Sequence, residues 1–389
     1  MKKFTIYFLA VLFFVSVLRG DSFTLSFFQS MTDNLFQTRY PEEDQISWLN
    51  FYWEKVLPPF SLFTEGNYSY LLQNSNLSYY FQTVGLDYLY PLNEKTALYF
   101  SLEAGGAFYR SDYNDFNYFS LNFLSALKTY LTPTSILKSS SSLEYKNYKL
   151  KVFDFISHSL SLSFDKYFQT KTTLQAEIDW GYKYFLHPYF SEVLYVENER
   201  SFYQGGRGKA AHSGRSPYLF TQDTQNRGED IQNISISGLF AQGISDNIGL
   251  RLTALKQWNV SGKNPFTSIE EYYMVENPFY DNFSWKGLRL SAQLTLETPW
   301  NSQMKIGYTI SKKEFPGIES LSIEGTSLGS TRSDRRREWG ARIEKNFPRF
   351  SFFLAYTYIN NHSNDPIFDW NGHFISGGIE WALPFGGEK

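Results

Sequence analysis

The chain offers little for covalent chemistry. It has no cysteine, which removes thiol nucleophiles, thiolate metal sites and disulfide frameworks together. Its five histidines, His158, His187, His212, His362 and His373, are too scattered for a metal-ligand spacing. His362 and Ser363 are neighbours in "NNHSND", but a nucleophile and base need hydrogen-bond geometry and an orienting third group, which adjacency does not supply. His158 has no serine at a matching cross-strand position that the sequence assigns. No GxxxxGK run is present to cradle a phosphate. These residues predict a protein that is not an enzyme and carries no cofactor and no metal.

Charge is the remaining resource, and it is regularly placed. In "TTLQAEIDWGYKYF" (172–185), Leu174, Ala176, Ile178, Trp180, Tyr182 and Tyr184 alternate with Gln175, Glu177, Asp179 and Lys183. Side chains on a strand alternate faces, so this ribbon has one oily face and one charged face. "HSLSLSFDKYF", "GLRLSAQLTLE" and "QMKIGYTIS" repeat the pattern. A soluble sheet turns the oily row to a core. A transmembrane barrel turns it to lipid and the charged row to a wet lumen.

Several features favour the barrel. About sixteen strands are predicted, from 22–36 to 372–385, including 303–313 and 334–345. The strand at 22–36 is needed to keep the number even; fourteen strands is the next expectation. Tight turns such as "KVLPP", "LTPT" and "NFPR" alternate with longer links at 186–228, 261–283, 314–333 and 360–371, as short turns and long loops do at opposite ends of outer-membrane barrels. The chain has 37 Phe, 29 Tyr and 9 Trp with a mean hydropathy of -0.37, as expected when oily residues occupy every second position. The start, "MKKFTIYFLAVLFFVSVLRGDS", reads as a signal peptide over residues 1–20, leaving 21–389 as the barrel. Beyond it no apolar run is long enough for a spanning helix. A net charge of -3 gives no reason to expect nucleic acid.

With the polar rows inward, the expected lumen lining is Asp87, Glu103, Glu144, Asp165, Glu177, Asp179 and Lys183 on early and middle strands. Arg251, Arg289, Lys305, Arg336 and Arg342 follow on late strands. Either the two groups set a transverse field across a water-filled channel, or neighbouring ion pairs seal a narrow lumen. Arg200, Arg207, Lys209, His212 and Arg215 make the loop 186–228 basic and Gly-rich; it either folds into the mouth as a constriction or stays at the surface beside lipid phosphates. "TRSDRRREW", with Arg332, Arg335, Arg336 and Arg337, either grips phosphates by bidentate bonds or forms a solvated rim.

The closing segment "FISGGIEWALPF" resembles the last strand of bacterial outer-membrane β-barrels of porin-like build, and the resemblance covers nearly all the chain after the leader. It implies an all-β, antiparallel up-and-down barrel in the outer membrane, contacting lipid and recognised by the barrel-assembly machinery. The aromatic signal residue of that strand, Phe385, is displaced here by "GGEK". "SMTDNLFQT" and "NNHSNDPIFDWN" also resemble motifs in barrels of polysaccharide-export and surface-lipoprotein assembly systems. The resulting expectation is a passive channel for small polar solutes, of undetermined oligomeric state. The alternative is a non-conducting assembly or export component that binds a surface polysaccharide or lipoprotein.

Overall fold

The structure, a computed structural model, describes residues 22–187, 219–220, 230–263, 266–267, 282–298, 300 and 302–384. The leader (1–20) and Arg200, Arg207, Lys209, His212 and Arg215 lie outside these residues. The first nine strands are β1 (Ser22–Thr32), β2 (Asp44–Leu57), β3 (Phe60–Leu71), β4 (Tyr79–Asn93), β5 (Thr96–Tyr109), β6 (Tyr118–Thr132), β7 (Ser135–Tyr148), β8 (Phe155–Tyr167) and β9 (Thr172–Phe185). A two-residue β10 (Leu219–Phe220) precedes β11 (Asp230–Gly243) and β12 (Ile248–Ser261); its partner β13 (Phe266–Thr267) precedes β14 (Lys286–Thr298). β15 (Ser302–Leu321), β16 (Ser327–Asn346), β17 (Phe350–Ser363) and β18 (Trp370–Pro384) complete the chain.

All except β10 and β13 join one closed barrel in chain order, and β1 pairs antiparallel with β18 to seal it. Sixteen strands close because each pairs both neighbours over its length, leaving no open edge in lipid. The register confirms the alternation: Ile178 pairs with Leu162 on one side and Ile236 on the other, while Glu177 pairs with Ser163 and Ser237. The apolar row faces outward, where Leu102, Leu162, Ile178, Ile306, Leu354 and Ile375 are all exposed. From Leu296 to Leu288 the outward row of β14 is apolar, about 27 Å along the strand. At a tilt of ~40° that is ~21 Å of height, close to the ~25 Å band of a membrane barrel.

One expectation is corrected. The link expected at 314–333 is largely strand: β15 and β16 are 20 residues each and form a hairpin rising past the other strands. Its pairing is irregular above Glu314, with register shifts up to Leu321↔Ser327. The turn is tightened by Gly325 at φ 80°, where Gly325 N donates to Ser322 O. The oily alternation stops where the strand leaves lipid, so the period that marks a membrane strand is absent from this part.

The loop end is filled. Short 3-10 turns at Ser75–Leu77, Ser111–Phe116 and Lys151–Phe153, with the segment around Leu35 and Phe36, pack against inward residues of the wall. Leu35, Leu71, Phe116, Phe153 and Ile231 are fully buried there. Phe116 stacks on Phe153 at 5.6 Å and meets Tyr109 edge-on at 6.5 Å.

Candidate functional site

Register places Asp87, Glu103, Glu144, Asp165, Glu177, Asp179 and Lys183 on the face opposite the exposed apolar row, and likewise Arg251, Arg289, Lys305, Arg336 and Arg342. Their surroundings separate them into two groups. One group is paired in place: Lys138 bridges Asp165, Lys146 bridges Glu144 at 3.0 Å, Arg336 meets Glu338 at 2.7 Å and Arg342 meets Glu344 at 3.2 Å. The Arg342 guanidinium also lies 3.8 Å over the Phe353 ring. Lys183, 1% exposed, sits against Phe155 at 3.9 Å and belongs to the packed mouth rather than to open lumen.

The members of the other group make no ion pair among the described residues, although Lys138 lies near enough to attract Glu177. Asp87 accepts a hydrogen bond from Tyr99 OH at 2.7 Å, Glu103 from Asn122 Nδ2, Glu177 from Ser161 Oγ at 3.0 Å and Asp179 from Ser235 Oγ at 2.9 Å. Glu54 accepts from Ser61 Oγ. Among the described residues none of these five carboxylates reaches a cation, and Arg251, Arg289 and Lys305 reach no carboxylate. Around the ring β4 lies eight strands from β14, and β5 eight strands from β15. Asp87 and Glu103 therefore occupy the arc diametrically opposite Arg289 and Lys305.

At the mouth a cation is handled differently. Arg332, 1% exposed, donates through Nη2 to Asp334 Oδ2 at 2.6 Å and through Nε to Oδ1 at 3.1 Å. Its guanidinium lies 3.3 Å from the Phe368 ring centre and 4.7 Å from that of Phe315. Ser363 Oγ donates to the same Asp334 at 2.7 Å. Asp365, outside the wall, is held above its ordinary carboxylate value by burial, while the amides of Leu321 and Ile367, which donate to it, and Arg332 draw it back. His362 is set beside Asp369 at 3.4 Å and not beside Ser363.

The expectation for His158 is corrected. Ser141 Oγ and His158 Nε2 are 2.9 Å apart on the outward face, and His158 meets Trp180 edge-on at 5.7 Å. Ser141 is the register partner of Leu160, so the contact is diagonal and could be found only by searching positions two residues off register. Among the described residues no carboxylate or amide reaches the other ring nitrogen. The contact shields two polar groups from lipid but lacks the third group that holds a catalytic base.

Fold and wall together define a membrane-spanning β-barrel with a charged interior. No family model matches the sequence, and no curated protein does. Among solved structures the chain is similar to OpdO of Pseudomonas aeruginosa, at 9% identity over 93% of this chain and 96% of that one, with a TM-score of 0.50. It is similar to CdiB from Acinetobacter baumannii at 11% identity and a TM-score of 0.54, over 93% of this chain and 60% of that one. The outer membrane protein OprD from Pseudomonas aeruginosa aligns at 10% identity over 95% and 96% of the two chains, with a TM-score of 0.47. Identities this low speak to the shared fold.

Proposed function

We propose that this protein is a passive channel of a bacterial outer membrane that admits small polar solutes. The observation that carries the reading is the facing of Asp87 and Glu103 by Arg289 and Lys305 across the ring, none of which makes an ion pair among the described residues. Burying unpaired charge in a dry interior is costly; hydrated charges of opposite sign on facing walls instead favour a wet lumen. The field between them orients dipolar solutes and gives apolar ones nothing in return for lost water. Of the twelve inward residues all but Lys183 would then line the path, and no catalytic step is assigned to any of them. The outer membrane is the natural location for such a closed barrel with short turns at one end and long loops at the other.

A second reading, a non-conducting assembly or export component, draws support from the aromatic packing at the mouth, which narrows the interior around Phe116 and Phe153. Single-channel conductance of the refolded protein in a planar bilayer separates the two. Steady open steps are expected. Silence from a barrel whose folding is confirmed by heat-modifiable gel migration would overturn the channel and favour the second reading.

A further inference from the structure

The arginines of "TRSDRRREW" separate by strand parity. Arg332 and Arg336 point inward to Asp334 and Glu338, whereas Arg335 and Arg337 point outward and are exposed. Arg335 is the register partner of Lys312, also exposed and outward. Lys312 pairs across β14 through Leu288, whose other partner is the exposed Lys256. Among the described residues none of these four cations touches a carboxylate; the nearby Glu314 is held by Lys286 at 2.8 Å, and Asp369 by His362.

This arrangement is unfavourable as it stands, because like charges on directly opposed strand positions repel. It also sits at a defined level. The outward row of β15 runs Met304, Ile306, Tyr308, Ile310 and then Lys312, and that of β16 runs Ile343, Ala341, Trp339 and then Arg337 and Arg335. The apolar rows become cationic where the wall leaves lipid, at the loop end. Immediately below lies an open apolar groove of about 830 Å³ on the outer wall, lined by Ala254, Leu290, Tyr308 and Ile310 among others and floored by small residues including Gly238 and Ala292.

We infer that this face binds an anionic phosphorylated lipid of the outer leaflet, its acyl chain in the groove and its phosphates on Lys256, Lys312, Arg335 and Arg337. The occupant must be amphiphilic, because the groove continues the cationic patch downward into the apolar belt. The patch spans three strand spacings, roughly 14 Å, too wide for one phosphate, so the head group is bisphosphorylated. Arginine suits it, since its planar fork grips phosphate oxygens bidentately.

The test is native mass spectrometry of the full-length folded barrel in micelles doped with bisphosphorylated lipid A. Wild type is compared with the Lys312→Gln/Arg335→Gln/Arg337→Gln variant and with Lys345→Gln, a change at the turn end of β16. Retained lipid should fall at least roughly ten-fold in the triple variant and stay unchanged in Lys345→Gln. If the triple variant does not fold, Ala254→Phe, which fills the groove and leaves every cation, should lose the lipid instead. Equal retention by wild type and a folded triple variant would overturn the site. So would displacement of the lipid by inorganic phosphate at equal concentration, which would assign the cations to a free anion. Neither outcome touches the channel reading, which rests on the inner wall.

Discussion

Two regions of one interior hold arginine and lysine in opposite ways. At the mouth Arg332 is 1% exposed, clamped by Asp334 and stacked on Phe368 and Phe315. Toward the turns Lys305 and Arg251 face the same interior and make no ion pair among the described residues. The mouth behaves like a protein core, where a charge persists only with its partner in place. The wall below behaves like a solvated surface, where charge stands without an ion-pair partner. In the proposed channel, solute entry would meet packing at one level and electrostatics at the next.

Breaking the mouth should have the largest effect. Arg332→Met removes the guanidinium that clamps buried Asp334 and is expected to cost about 3–5 kcal/mol, read as a lower urea midpoint for unfolding. Adding Asp334→Leu should recover most of that loss; no recovery would mean the pair is not the unit that matters. Phe116→Ala removes a fully buried ring from the loop cluster, at a cost of about 3–5 kcal/mol. Because the cluster narrows the mouth, the same variant should raise single-channel conductance, and unchanged conductance would show that the constriction lies elsewhere.

Changing the wall should alter selectivity and leave stability nearly untouched. Lys305→Glu/Arg251→Glu places carboxylates opposite the acidic arc, and the reversal potential under a salt gradient should move toward cation preference. A reversal potential equal to wild type would sink the idea of a transverse field.

The smallest effect concerns pH at the mouth. Asp365 has a raised folded pKa, chiefly from burial, so the folded state binds its proton more tightly than the unfolded state. The resulting stabilisation is fully present below the ordinary value of 3.8 and is lost as pH rises through the raised value. The urea midpoint for unfolding of wild type, taken relative to Asp365→Asn, should therefore fall as pH rises through that window. Asp365→Asn should flatten the dependence.

Much of this was legible in the chain. Period-two alternation locates the barrel strands and gives each charged residue a face, because a strand has only two. Turn composition separates the two ends. The extension of β15 and β16 was hidden because Glu314–Leu321 and Ser327–Ser333 stand above lipid, where neither face must be oily. Parity within 334–345 already turned Arg336 inward, away from Arg335 and Arg337, but it could reach Arg332 only once the extension was known. The Ser141–His158 contact escaped because it is diagonal.

The sequence by itself therefore determined a ribbon that must close: alternating strands with an apolar row leave no stable option in a membrane except a barrel. Only the tertiary structure decided which charges meet. Closure sets β4 and β5 against β14 and β15, brings Lys256, Lys312 and Arg335 onto one outer face, and folds the Phe116 and Phe153 turns inward. The physical reason is that alternation is a local property of the backbone. Opposition across a lumen, adjacency between distant strands and the packing of loops depend on the register and closure of the whole ring.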